Sequence, residues 1–188
     1  MMPGPLPKGI CFSDGVISIR PVRLEDAEAW FQAVYETLPD LQQWLPFSRQ
    51  NPGLQDIHLW LNEQLEAWAK GRSYAFAILD AQSEALIGGC QLNGLIAIHR
   101  LANMVYWVRS TERGHGVAGR AVRLLARFGF EDLGLQRLEI QIGLENIASQ
   151  RAADKAGARY QGLLPNRIQV GGRLYEAVLY SLIPADLV

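Results

Sequence analysis

The spacing of hydrophobic and polar positions along the chain predicts seven strands and four helices. Short apolar runs rich in β-branched and aromatic residues predict strands at residues 16–19, 73–79, 85–95, 101–108, 137–142, 159–170 and 173–182. Apolar residues three and four positions apart predict amphipathic helices at residues 24–37, 54–70, 116–133 and 146–156. The order β-α-α-β-β-β-α-β-α-β-β indicates a mixed α/β sheet with helices on its faces.

Proline and glycine set several of the predicted boundaries. Pro39 is expected to end the first helix, and residues 39–53 should form a long loop that carries an exposed Trp44. The pair Gly171-Gly172 is typical of a two-residue turn between the last two strands. Residues 1–12 are expected to be a flexible tail, so that residues 13–188 form a single domain.

Composition and charge narrow the classes of function. A chain of 188 residues, 49% of them hydrophobic, is long enough for one well-buried domain. The formal net charge of −1 provides no field that would attract nucleic acid or an anionic membrane. Two cysteines without CxxC spacing argue against a disulfide framework or a zinc site, so no metal is expected. Because the sequence shows no signal peptide and no apolar run of about 18 residues, we expect a cytoplasmic protein.

A glycine-rich turn between a predicted strand and a predicted helix carries the strongest chemical signal. It consists of Arg113, Gly114, His115, Gly116, Val117 and Ala118. Glycines let a phosphate approach the backbone closely, and a helix that begins there adds unpaired N–H groups and a positive dipole end. We therefore expect this turn to bind a pyrophosphate.

Other glycine-rich loops must be weighed against this turn. A Walker loop needs Gly-Lys-Ser/Thr at its end, which residues 118–120 do not provide. The spacing G-x-G-x-x-G at residues 114–119 matches the dinucleotide fingerprint, and Glu139 lies near the distance expected of a ribose-binding acid. However, the polar residues 109–113 separate this motif from its strand, and too little chain follows it for a doubly wound sheet. A dinucleotide site and an ordinary strand-to-helix turn remain as alternatives.

A further interpretation fits more of the chain. Arg113, Gly116 and Ala118 match the signature Arg/Gln-x-x-Gly-x-Gly/Ala, and here the chain resembles the GNAT superfamily of acetyl-CoA-dependent N-acetyltransferases. It is similar in particular to the ribosomal-protein serine/alanine N-terminal acetyltransferases. Five segments carry this likeness in order, namely Ile19–Ala27, Leu41–Pro46, Tyr106–Val108, Glu145–Ser149 and Gly172–Tyr175.

The resemblance implies a single-domain GNAT-like fold with a mixed, mostly antiparallel sheet of six to seven strands and helices on both faces. The strands at residues 101–108 and 137–142 are then parallel neighbours that splay apart where the cosubstrate acetyl-CoA enters. Backbone groups freed by this splay would bind the pantetheine amides and the acetyl carbonyl. The groups expected to do so belong to Trp107, Val108 and Arg109.

The resemblance also assigns roles to side chains. Asn146 would contact the pantetheine arm, and Ser149 would protonate the departing CoA thiolate. A structural role is open for both residues, since Asn146 is a plausible helix N-cap and Ser149 a residue of the first turn. Trp44 would form a wall of the acceptor site. The turn at residues 113–118 would bind the pyrophosphate chiefly through main-chain N–H groups.

The sequence does not identify a general base. Attack on the thioester needs a neutral amine, so a side chain, a water chain or the solvent must take a proton. Relatives place glutamates at positions that Asn103 and Ile168 hold here, and neither residue accepts a proton. Tyr175 is the favoured catalytic candidate, with His99 and Glu145 as alternatives. Asn103 is expected to contact the substrate.

These expectations predict an enzyme that transfers an acetyl group from acetyl-CoA to a primary amine by direct attack, without a covalent enzyme intermediate. The acceptor is expected to be a peptide or protein N-terminus. A small-molecule amine acetyltransferase and a non-catalytic CoA-binding module are the alternatives. The protein is expected to act as a monomer or homodimer.

Overall fold

A single eight-stranded sheet organises the computed structural model, which describes residues 9–45 and 51–187. The strands are β1 (Phe12–Ser13), β2 (Ile17–Pro21), β3 (Tyr74–Asp80), β4 (Leu86–Ile96), β5 (Leu101–Val108), β6 (Arg137–Gly143), β7 (Arg159–Val170) and β8 (Arg173–Leu182). The helices are α1 (Ala27–Trp44), α2 (Leu54–Ala69), α3 (Val117–Arg127) and α4 (Ile147–Lys155). The strand order is β1-β2-β3-β4-β5-β6-β8-β7, and only the β5–β6 pair is parallel among these described strands. The predicted α/β class and element order are confirmed.

The helices cover the two faces of the sheet in pairs. On one face, α1 and α2 pack through a cluster that includes Trp30, Ala77 and Trp107. On the other face, α3 and α4 pack through a larger cluster that includes Phe76 and Phe128, both fully buried. Burial of each large apolar side chain stabilises the fold by about 1.5–3 kcal/mol. The sheet is therefore packed on both faces, by α1 and α2 on one side and by α3 and α4 on the other.

The two central parallel strands stay paired for only three residues. Leu101–Asn103 of β5 pairs with Arg137–Glu139 of β6, and the pairing ends there. Beyond that point β5 remains paired with β4 as far as Val108, and β6 remains paired with β8 as far as Gly143. The strands diverge into a gap that we call the splay, with a closed end where the pairing stops and an open end at Val108 and Gly143. The predicted divergence of these strands is confirmed.

Pro39 does not end the first helix, so that prediction is wrong. The helix α1 continues through it to Trp44. A proline inside a helix leaves the carbonyl four residues earlier without its N–H partner, and that carbonyl belongs to Tyr35. Both residues lie on the exposed side of α1, where solvent can satisfy the carbonyl. On the opposite side, the buried Leu38 and Leu41 continue the apolar stripe and favour the longer helix.

The sheet begins earlier than the sequence indicates. Phe12 lies in the predicted tail but pairs with Ile19, and this pair adds an eighth strand to the six or seven expected. Residues 1–8 lie outside the described residues, so a flexible tail there stays a prediction. At the other end of the chain, Gly171 and Gly172 have φ angles of 70° and 75° and form the predicted two-residue turn.

Two other predicted segments differ in detail from the structure. The long loop expected at residues 39–53 is shorter because α1 covers its first part, and residues 46–50 of it lie outside the described residues. The helix expected at residues 116–133 has nearly its predicted extent but changes type. It is an α-helix as far as Arg127 and continues directly as a π-helix at Phe128–Asp132.

Candidate active site

The glycine-rich turn leads from the end of β5 into α3. A short 3-10 turn at Ser110–Glu112 follows the strand, and Gly114 and Gly116 then adopt φ angles of 83° and 78°. These angles lie in the left-handed region, which favours glycine. A Cβ atom on either glycine would meet nothing within 4 Å, so the space above this backbone is open.

The helix α3 begins without a side-chain cap among the described residues. Its N-cap is Gly116, and residues 113–116 are exposed, whereas Val117 is buried and anchors the first turn in the core. The first N–H groups of the helix therefore remain available to an anion, and the positive dipole end adds to the attraction. This arrangement fits a pyrophosphate held by main-chain groups. His115 is exposed and Ala118 is partly buried, and their part in binding the pyrophosphate stays a prediction.

The third glycine of the G-x-G-x-x-G spacing has a packing role. A Cβ atom on Gly119 would lie 3.4 Å from the carbonyl oxygen of Ala152, so this glycine lets α3 approach α4 closely. The turn at Ser110–Glu112 separates the motif from β5. A dinucleotide fingerprint needs its glycines directly after a strand in a parallel sheet. The dinucleotide interpretation is therefore wrong.

Two ion pairs connect the turn to α1. The guanidinium of Arg109 contacts both carboxylate oxygens of Glu36, at 2.6 and 2.5 Å, and Arg113 contacts Asp40 at 2.7 Å. The hydrogen bond from Arg109 holds the pKa of Glu36 below its ordinary value. Because such pairs contribute little free energy when they are exposed, their main effect is to position the turn against α1.

The backbone of Arg109 is already used within the protein. Its N–H donates to the carbonyl of Ile87 at 2.9 Å, and its carbonyl accepts from the N–H of Glu112 at 2.9 Å. The expectation that the Arg109 N–H is free to bind pantetheine is therefore wrong. Backbone groups alternate in direction along a strand, so Trp107, which pairs with Gly89, also faces β4. Val108 remains the candidate, since its backbone groups face the splay.

Ser149 and Asn146 lie together at the start of α4. The side-chain oxygen of Asn146 accepts a hydrogen bond from the backbone N–H of Ser149 at 3.1 Å, so Asn146 is the N-cap of the helix. The hydroxyl of Ser149 lies 2.9 Å from the phenol oxygen of Tyr106, which also donates to the Ser149 carbonyl at 2.9 Å. This contact bridges the splay from β5 to α4.

Tyr106 is a site residue to which the sequence assigned no role, although it lies in one of the five segments that carry the family likeness. Burial raises its pKa to about 12, against a smaller lowering by the hydrogen bond with Ser149. The phenol is therefore protonated at neutral pH and can exchange a proton with the serine hydroxyl. Its signal in the sequence was indirect: Tyr106 alternates with Trp107 along β5 and so faces the α3 and α4 side of the sheet.

A wide cleft lies beside the open end of the splay. Its volume is about 470 Å³, and it is lined by Gln42, Gln43, Trp44, Glu145, Val170, Arg173 and Tyr175. The ring of Trp44 packs on Gly143, where a Cβ atom would come within 2.8 Å of it. The guanidinium of Arg173 lies 5.2 Å from the ring centre of Tyr175. The structure thus places Trp44, Tyr175 and Glu145 in one cleft.

A smaller apolar pocket lies between α1, α2 and the sheet. Its volume is about 140 Å³, and its walls include Trp30, Trp60 and Trp107, with Asp56 at the edge. The Trp30 ring lies 4.9 Å from Trp60 and 5.5 Å from Trp107. Cys90 also lines this pocket, and burial raises the pKa of its thiol. It is therefore an unreactive core thiol, as expected.

Asn103 lies at the closed end of the splay. Its side-chain N–H donates to Asn93 at 2.9 Å, while its buried carbonyl oxygen has no hydrogen-bond partner among the described residues. His99 is exposed in a short 3-10 turn before β5, outside the wide cleft and the small pocket. Ile168 lies on β7 opposite Tyr175 and carries no titratable group.

Within residues 9–45 and 51–187, no group of three or more histidine, cysteine, aspartate or glutamate side chains is placed to hold a metal ion. Over the same residues, no helix combines the length and apolar character needed to cross a bilayer.

Comparison with known proteins agrees with this geometry. The acetyltransferase (GNAT) domain family matches residues 17–159. The uncharacterised N-acetyltransferase p20 of Bacillus licheniformis is 26% identical over 173 residues, which span 90% of this chain and 94% of p20. YdaF of Bacillus subtilis, a proposed ribosomal N-acetyltransferase, is 27% identical over 176 residues, which span 90% of this chain and 92% of YdaF.

A solved structure shows the same fold. RimJ of Mycobacterium smegmatis, in complex with a CoA disulfide, superimposes with a TM-score of 0.84 at 24% identity, over 92% of this chain and 84% of RimJ. The family match spans most of the chain, including the splay and the glycine-rich turn. The chain therefore belongs to the GNAT acetyltransferase domain family and is an N-acetyltransferase that uses acetyl-CoA as cosubstrate.

Proposed function

We propose that the acceptor is the N-terminal amine of a peptide or protein and that it enters through the wide cleft beside Trp44. The cleft carries this proposal because its volume of about 470 Å³ is large enough for several residues of an extended peptide. Glu145 adds a carboxylate that complements an ammonium group. The name of YdaF, which refers to ribosomal substrates, supports the same acceptor class. The reaction would take place in the cytoplasm, and a monomeric or homodimeric state stays a prediction.

The proposed reaction uses backbone groups to bind and side chains to move protons. The turn at residues 113–118 holds the pyrophosphate, and the backbone N–H of Val108 stabilises the oxyanion that forms on the acetyl carbonyl, a contribution of about 3 kcal/mol. The neutral amine attacks the carbonyl carbon, the C–S bond breaks, and the sulfur leaves as a thiolate. Ser149 gives this thiolate its proton and regains one through Tyr106, which is reprotonated by the proton that the acetylated nitrogen loses.

The acceptor class is tested by thiol release from acetyl-CoA with a panel of N-terminal peptides and small amines. We expect short peptides with a free N-terminus to be acetylated and the same peptides with a blocked N-terminus to be inert. Trp44→Ala should raise the peptide KM about tenfold, the effect of losing about 1.4 kcal/mol of binding, with little change in acetyl-CoA affinity. Tyr35→Ala, an exposed aromatic of the same helix, is the matched control. Acetylation of small amines alone would contradict the proposal.

A small aromatic amine is the second candidate acceptor. The pocket lined by Trp30, Trp60 and Trp107 favours it, since a volume of about 140 Å³ is close to that of a cavity that binds benzene. If this acceptor is correct, benzylamine should be a better substrate than a peptide, and filling the pocket with Val105→Trp should abolish its turnover. If Val105→Trp leaves the acetylation of peptides unchanged, the small aromatic amine is excluded as the acceptor.

A further inference from the structure

The closed end of the splay presents a carboxylate that has no role in the reaction described so far. Asn103 of β5 and Glu139 of β6 are register partners in the last pair before the strands diverge. Leu138 and Ile140, on either side of Glu139, both belong to the α3 and α4 core. Because side chains alternate along a strand, Glu139 points to the opposite face of the sheet.

Asn103 points to that same face. It is four residues before Trp107, whose ring packs with α1 and α2, and residues separated by an even number share a face. Neighbouring strands lie about 4.8 Å apart, so the two side chains start as near neighbours. The closed end of the splay thus holds an amide and a carboxylate side by side on the face of the sheet that α1 and α2 cover.

Both side chains retain capacity for a ligand. Glu139 is partly exposed, and its Oε1 atom pairs with Arg137 at 2.8 Å. The carbonyl oxygen of Asn103 is buried and has no partner among the described residues. A buried acceptor without a hydrogen-bond partner lowers the stability of the fold by about 1–3 kcal/mol. A ligand that brings a donor, such as an amine N–H or a water, would satisfy this acceptor.

The direction in which acetyl-CoA binds brings its acetyl end toward this site. The pyrophosphate turn is at the open end of the splay, so the pantetheine arm must run back along β5 toward the closed end. Tyr106, which contacts Ser149, is three residues from Asn103, a distance of roughly 10 Å along the strand. That interval leaves room for the acceptor amine and a bridging water between the thioester and Glu139.

We propose that Glu139 is the general base of the acetyl transfer and that Asn103 orients the incoming amine beside it. Glu139 accepts one proton from the acceptor ammonium through water, which frees the lone pair for attack. After the C–N bond forms, the second proton lost by nitrogen replaces the one that Ser149 gives to the CoA thiolate, and Glu139 returns its own proton to solvent. This assignment rests on the proposed function only in that an amine is the acceptor.

A transplanted carboxylate tests this assignment. Glu139→Gln should lower kcat by about 10² to 10⁴, the range for a lost general base, while the acetyl-CoA Kd stays within threefold. Adding Asn103→Glu to that variant returns a carboxylate to the neighbouring position on the same face. We expect the double variant to recover at least tenfold of the lost kcat. Arg137→Gln, which breaks the ion pair but keeps Glu139, should lower kcat less than tenfold.

Two results would overturn the assignment of Glu139 as the general base. An active Glu139→Gln, or a folded Glu139→Gln that Asn103→Glu fails to rescue, would reduce Glu139 to the partner of Arg137. If Glu139→Gln does not fold, Arg137→Gln/Glu139→Gln removes both charges of the pair, and the same rescue is measured in it. The assay uses any amine that the wild-type protein acetylates, so a failure of the peptide proposal and a failure of this one remain distinct.

Discussion

The two helices that begin beside the splay start in opposite ways. The first turn of α3 has a glycine as its N-cap and no side-chain cap among the described residues, so its N–H groups are free. The first turn of α4 is capped by Asn146 and presents the hydroxyl of Ser149 to Tyr106. A helix start that lacks a cap binds anions through its backbone, whereas a capped one has used part of that capacity and acts through its side chains. A substitution that adds a side chain at the start of α3 should therefore impair its function, whereas at the start of α4 the damaging substitutions should be those that remove side-chain atoms.

Removal of the Ser149 hydroxyl should have the largest effect. Ser149→Ala should lower kcat by about 10² to 10⁴, as expected for a lost general acid, with acetyl-CoA affinity nearly unchanged. Because the pKa of Tyr106 is about 12, its phenol stays protonated and the loss should be the same from about pH 6 to pH 9. Steady-state kinetics measures kcat at each pH, and calorimetry measures the acetyl-CoA affinity. An unchanged kcat would leave Ser149 as a residue of the helix start only.

Addition of a side chain at Gly116 should have the next largest effect. Gly116→Val places a branched group over the backbone that faces the pyrophosphate. We expect the acetyl-CoA Kd to rise about 100-fold, equivalent to about 2.7 kcal/mol, or one to two hydrogen bonds to a charged group. Gly134→Val is the matched control, since Gly134 has a similar φ of 65°, an equally open Cβ position and a place before β6 at the closed end. Similar affinity for both variants, measured by calorimetry, would contradict the backbone site.

Loss of the α4 cap should act on stability more than on binding. Asn146→Ala removes the acceptor for the Ser149 N–H and should lower the free energy of unfolding by about 1 kcal/mol. Asn146→Asp keeps that acceptor and should retain most of the stability. Urea denaturation compares the two. An acetyl-CoA Kd raised tenfold or more by both substitutions would instead give the side-chain amide a direct role in binding pantetheine.

Truncation of His115 should have the smallest effect. If the turn binds phosphate through its main chain, His115→Ala keeps every binding group and the acetyl-CoA Kd should change less than threefold, below about 0.7 kcal/mol. The side chain is exposed, so the fold should also be unaffected. A tenfold weaker affinity would show that the imidazole itself contacts the cosubstrate.

Local patterns predicted much of this molecule because they are properties of neighbouring residues. The strand and helix order, the Gly171-Gly172 turn and the α3 start all depend on residues within a few positions of one another. Pro39 was misleading because a helix tolerates proline where the freed carbonyl faces solvent, and exposure is a tertiary property.

Long-range partners could not be predicted in this way. Tyr106 and Ser149 are 43 residues apart, and Arg109 and Glu36 are 73 apart. No periodicity connects such pairs, because only the folded sheet brings them together. The same holds for Glu139, which the sequence offered only as a ribose-binding acid and which the β5–β6 register places beside Asn103.

The incomplete pairing of β5 and β6 also links the lifetime of the protein to metabolism. A ligand that fills the splay binds the folded chain and not the unfolded one, so at 100 times its Kd it adds about 2.7 kcal/mol to the free energy of unfolding. For a domain of this size, that corresponds to a rise in Tm of roughly 5–11 °C. When acetyl-CoA is scarce, the chain loses this protection and opens more often to proteases. We therefore expect the folded enzyme to resist proteolysis more strongly when its own cosubstrate is abundant.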